Sequence, residues 1–163
     1  MVTTAEQKRA SPAIEELKSQ CSSNGKKLLE SADSFAQLSK HDLGVQDIAT
    51  TLFWNTTMLE ALQEVHVNPQ QACKTFIESI SSARNKYKPT GSIQDIFDVA
   101  REESLKAGSS KIRVGDIAMA IYNSPTRAGR ALKEALESGL EKGVSFQTEL
   151  RSVINTIEKP WAA

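Results

Sequence analysis

Slid along itself by 69 residues, the chain meets its own pattern: Val45, Asp47, Ile48, Ala49, Leu52 and Phe53 fall on Val114, Asp116, Ile117, Ala118, Ile121 and Tyr122. With one extra residue in the intervening loop, Ala61, Leu62 and Glu64 fall on Ala131, Leu132 and Glu134. Two amphipathic helices share some residues by chance, but chance does not also keep the loop lengths equal. A self-match at a fixed period marks a copied structural unit. Each copy runs in the same order: a long helix, a short polar turn, a short apolar helix, a tight turn, and two further helices. Such a chain must bury the apolar faces of two like units against each other.

The units read as helical. Ile93, Ile96, Phe97, Ala100 and Ala107 line one helical face, as do Phe146, Leu150, Val153, Ile154 and Ile157, and no segment sustains strand alternation. Ser11-Pro12, Asn68-Pro69 and Ser124-Pro125 each place proline after a capping residue, where its missing N–H has no intrahelical partner to lose. Ser92 with Asp95, and Asn68 with Gln71, have capping-box spacing, and Gly44, Gly91, Gly108, Gly139 and Gly143 fall between periodic segments. The resulting expectation is an all-α globule of eight helices in two pseudo-symmetric four-helix repeats. They run near residues 12–39 (with a possible break at Gly25), 45–54, 57–65, 69–86, 92–107, 114–122, 125–138 and 145–158. One domain spans 12–158, with its first repeat over about 12–83, a connector over 84–92 and its second repeat over about 93–158. A flexible N-terminus, 1–11, and a tail, 159–163 with Trp161, flank it.

Composition narrows the function. Apolar residues make up 39% of the 163, enough for one core and too many for a disordered chain. Twenty basic residues balance twenty acidic ones, so no overall field draws the protein to nucleic acid or anionic lipid. Cys21 and Cys73 lie far apart in apolar helical patterns and read as reduced core thiols. The polar N-terminus is unlike a signal peptide, and no run of about 18 apolar residues occurs, so a soluble, cytoplasmic protein is expected, or a stromal one if a transit peptide has been removed. The sequon Asn55-Thr56-Thr57 then reads as coincidence.

Leu38 to Ile48 continuing through Leu59 to Val67 forms one copy. Ala100 to Gly108, Val114 to Ile117 and Arg127 to Leu132 form the other. In helix order, glycine placement and doubling, they resemble the Clp N-terminal repeat, which occurs twice in the N-terminal domain of the Clp protein-unfolding ATPases. The resemblance implies a module that docks substrate peptides, adaptors or a Clp ATPase or protease partner, as a stand-alone relative or an excised N-domain. It implies a role in regulated protein unfolding and degradation. No cofactor is expected: the phosphate loop G-x-x-x-x-G-K-[ST] of the ATPase engine does not occur. Family members carry Gly-Thr-Glu-His at the second helix of each repeat, where the glutamate contributes to phosphoarginine binding in some. Here the copies read Gly44-Val45-Gln46-Asp47 and Arg113-Val114-Gly115-Asp116, so the bidentate partner of a guanidinium is lost at both places. Asp47 and Asp116 keep a negative charge in the first helical turn, which suits the helix dipole.

Catalysis has no foothold in the pattern. His41 and His66 lie near turns without metal-ligand spacing, no G-x-S-x-G elbow occurs, and neither cysteine has a histidine near it in sequence. Protein contacts are expected at Gln46, Asp47, Gly115 and Asp116, with Trp54 as an anchor if it is exposed, although core packing of Trp54 is favoured by the general burial of tryptophan. A rival reading takes 93–125, with Lys111-Ile112-Arg113, as part of a histone-like fold binding DNA or a histone-like partner. It would use Arg84, Lys86, Lys88, Arg127, Arg130 and Lys133 against phosphate. It accounts for one half of the chain only.

Overall fold

The structure is a computed structural model that describes residues 14–82, 92–137 and 146–158. Among them it is all-α: a helical segment α1 over 14–19, then α2 (Ser23–Leu38), α3 (Val45–Leu52), α4 (Thr56–Glu64) and α5 (Pro69–Ser81). After the connector come α6 (Ile93–Lys106), α7 (Val114–Tyr122), α8 (Arg127–Glu137) and α9 (Phe146–Ile157). No sheet forms among the described residues, only one isolated parallel bridge, between Cys21 and Ile112. None of the described helices is long and apolar enough to cross a membrane. Ser11-Pro12, the connector, Gly139, Gly143 and the tail with Trp161 lie outside the described residues.

Local chemistry explains most of the boundaries. Asn68 accepts the amide of Gln71 at 3.0 Å with Pro69 in the first turn, and Ser92 accepts that of Asp95 at 3.3 Å. Three helices close alike at their C-termini. His41 N–H reaches Ala36 O, Val67 N–H reaches Leu62 O and Ser109 N–H reaches Ser104 O, around the left-handed residues Lys40, His66 and Gly108. This is the Schellman closure, and of the three only glycine adopts it without a Cβ penalty.

Three expected boundaries move: the helix expected over 69–86 stops at Ser81, where Ser82 is already extended, and two others shift for reasons of packing and capping. The long first helix breaks at Gln20 to Ser22 rather than at Gly25. Ser22 caps α2 through Gly25 N–H, while Ser22 N–H donates to Ile112 O and Ile112 N–H to Gln20 O, so tertiary pairing claims backbone that a continuous helix would have used. The α8 start also shifts. Thr126, not Ser124, caps it, accepting Gly129 N–H at 3.0 Å, and Pro125 stays outside the helix.

Every apolar position matched by the 69-residue shift is buried at both places, from Val45 and Val114 to Phe53 and Tyr122, and so are Ala61, Leu62, Ala131 and Leu132. The core is built by crossed packing: α5 lies on α8 and α9 lies on α4, while α2 packs on α3 and α6 on α7. α3 and α7 touch at the centre. Phe53 and Phe76 meet with ring centroids 5.4 Å apart, joining the end of α3 to α5. Removing a side chain such as Phe76 from water is worth on the order of 2–3 kcal/mol.

Candidate functional site

The short helices α3 and α7 start in the same way. Asp47 accepts the Gly44 amide at 2.8 Å and Asp116 accepts the Arg113 amide at 2.9 Å, which satisfies one unpaired donor of each helix end. Each aspartate also pairs with a basic side chain. His41 Nε2 lies 2.7 Å from Asp47 Oδ1, and the Arg113 guanidinium meets Asp116 through Nε and Nη2, both at 2.9 Å. Both carboxylates are buried, at 3% exposure.

These contacts redefine the residues expected at the helix starts. Asp47 and Asp116 face inward, and Gly115 lies under Ile154, whose side-chain atoms would stand 2.2 to 2.6 Å from any added Cβ. Gln46 alone of those four is exposed. Without a rearrangement, a partner reaches Gln46 and not the other three.

The hydrogen bond to Asp47, reinforced by its charge, raises the His41 pKa above the usual histidine range. A histidine that keeps its proton to higher pH in the folded state contributes stability that is full below the unfolded value near 6.5 and is lost as pH rises through the folded value. The expected result is an upshifted His41 midpoint by NMR titration that returns to the ordinary range in Asp47→Asn; an unshifted wild-type midpoint would mean that the pair does not form.

Sequence reasoning missed a buried polar cluster beside Asp116. Arg113 Nη1 donates to Asn155 Oδ1 at 2.6 Å and to Glu158 O at 3.1 Å. The Glu158 carboxylate accepts Val114 N–H at 3.0 Å and the Ser22 hydroxyl. Burial raises the pKa of Glu158 against the pull of its Ser22 and Val114 donors and the Arg113 charge, and that of Asp116 against the pull of Arg113. The available signal was Arg113 three residues before Asp116 at a helix start; Glu158 and Ser22 are 136 residues apart and carried none. The same burial pushes the Cys21 thiol up to about 12, with the Glu158 charge adding to it. Cys21 and Cys73 are both free, the first buried and the second half-buried.

Trp54 does not pack into the core. It is 56% exposed while its neighbour Phe53 is buried, because successive residues at a helix end project about 100° apart and the core takes one of them. The indole is braced by Phe35, with centroids 5.8 Å apart and rings tilted by 59°. It stands between two open cavities. One, of about 730 Å³, is lined by Phe53, Leu59, Pro69, Cys73 and Ile77 besides Trp54, with Gln70, Lys74 and Glu78; the other, of about 630 Å³, is lined by Phe35 and Leu38 with Lys27, Glu30, Ser31, Ser34 and Thr51. Leu38 is 83% exposed and Ile77 is half exposed, so an apolar surface runs across α2, the end of α3 and α5. An apolar patch with a braced aromatic at its centre is the arrangement that recognises protein side chains.

Four basic residues of the rival nucleic-acid reading have partners within the chain. Arg84, Lys86 and Lys88 lie outside the described residues. Arg113 is buried in its ion pair, Lys111 donates to Ser19 O, Arg130 pairs with Glu134 at 3.4 Å and Lys133 sits over the Tyr122 ring. Among the described residues no three His, Cys, Asp or Glu side chains converge as metal ligands. No protein-family model matches the chain, and no curated protein matches it.

Proposed function

We propose that the chain is a non-catalytic protein-interaction module of the Clp N-domain type, in which two equivalent four-helix units form one body. It captures substrate peptides, adaptors or a Clp ATPase or protease partner through the surface around Trp54. The observation that carries this reading is the exposed, braced indole between two apolar cavities. Support for the paired units comes from the crossed packing of α5 on α8 and α9 on α4, and from the identical aspartate caps of α3 and α7.

A pull-down with mass spectrometry should recover a Clp ATPase, its protease or an adaptor. Trp54→Ala should weaken that capture about tenfold, a loss of about 1.4 kcal/mol, with circular dichroism unchanged. Salt-sensitive retardation of DNA without such partners, or full capture by the alanine variant, would remove the proposal.

A further inference from the structure

A third cavity, of about 320 Å³, opens between the end of α6, the first turns of α7 and the side of α9, and it does not include Trp54. Its chemistry is one-sided. Of its two acidic residues, Asp116 is taken up by the guanidinium and amide of Arg113, and Glu103 accepts Arg151 Nε at 3.3 Å and Nη2 at 2.8 Å. The groups left over are donors. Arg151 Nη1 has no acceptor among the described residues, nor has the Lys106 ammonium. Asn155 accepts from Arg113 through Oδ1, which orients its amide NH2 as a further donor. Three cations, Lys106, Arg113 and Arg151, face two carboxylates in the lining, so one positive charge is in surplus. Met119, Ile154 and Ala107 supply apolar wall.

We propose that this cavity is a binding site for a carboxylate on a short aliphatic stem, held by Lys106, Arg151 and Asn155 with its methylenes against Met119 and Ile154. A charged acceptor is what three uncommitted donors select, because hydrogen bonds to an ionised group are about twice as strong as neutral ones. The volume is at the small end for ligand sites and suits a side chain or a small acid rather than a nucleotide. The assignment does not depend on the Trp54 surface, so either can fail alone. The same carboxylate chemistry has two sources, a free dicarboxylic acid or a glutamate side chain of a partner.

The test is an NMR titration of the full chain with glutarate, with a blocked tripeptide carrying one central glutamate, with neutral glutaramide and with inorganic phosphate. Expected are saturable shifts confined to Lys106, Met119, Arg151, Asn155 and their neighbours for the two carboxylates, and none for glutaramide. Tighter binding of the peptide assigns the source to protein, and tighter binding of glutarate assigns it to a small acid. Lys106→Met should weaken both about tenfold while its thermal midpoint stays that of the parent, and Arg151→Lys, which keeps the charge and loses the fork, should weaken them less. Equal shifts with glutaramide, phosphate binding tighter than either carboxylate, unchanged affinity in Lys106→Met, or no saturation by about 10 mM, a millimolar limit for a meaningful site, would each overturn the assignment.

Discussion

Arg113→Ala is expected to lower folding stability by about 3–5 kcal/mol, the range found when one partner of a buried ion pair is removed. The guanidinium is the only cation paired with Asp116 among the described residues, and it also satisfies Asn155 Oδ1 and Glu158 O. Alanine leaves the Asp116 carboxylate, the Asn155 amide oxygen and the Glu158 carbonyl to find other partners at once, and it opens a void where the side chain lay. Because the group joins the start of α7 to the end of α9, the loss should reach the whole transition rather than fray one end. Urea unfolding followed by helical circular dichroism would measure it. A loss below about 1 kcal/mol, the range of an exposed pair, would show that the pair is solvated in the native protein.

Gly129→Ala should be nearly as damaging, and its sign is what makes it diagnostic. Alanine is the better helix former by about 1 kcal/mol in an ordinary helical position. Here an added Cβ would stand 2.5 Å from Ile121 O, Ser124 O and Ser124 Oγ. Two of those atoms belong to the backbone at the turn between α7 and α8, which cannot swing aside as the far end of a side chain can. Forcing them apart costs about 3 kcal/mol, toward the upper end for overpacked sites. Thermal unfolding of the variant should show a clear fall in midpoint, and a rise would mean that α8 does not approach the end of α7 this closely.

Much of the fold was readable in order along the chain because helix-terminal chemistry is local. Asn68-Pro69 and Ser92 act within three residues of themselves, and the alternation of apolar positions through α3 and α7 needs no distant partner to be recognised. Errors arose where a distant segment claimed the same backbone. The pairing of Gln20 and Ser22 with Ile112 breaks the first helix, and nothing near Cys21 announces it. At the α8 start two good capping residues, Ser124 and Thr126, stood two apart, and Thr126 won.

The candidate sites were less legible for a related reason. Gln46, Asp47, Gly115 and Asp116 were grouped by sequence position, but an aspartate that caps its own helix turns inward, which buries Asp47 and Asp116, and Ile154 of α9 covers Gly115. Trp54 and Phe53 were indistinguishable by type, and which of them entered the core was decided by Phe76, a residue of another helix. The Lys106, Arg151 and Asn155 cavity joins α6 to α9 and has no linear signature at all.

The exchange by which α5 reaches across to α8 and α9 back to α4 ties the helices before the connector to those after it in a reciprocal clasp. A ribosome that has released only the residues up to the connector has released α2 with its partner α3, but α5 is still waiting for α8, and α4 for α9. The emergence of α8 and α9, rather than of the residues before the connector alone, is therefore the event that commits this protein to its native state.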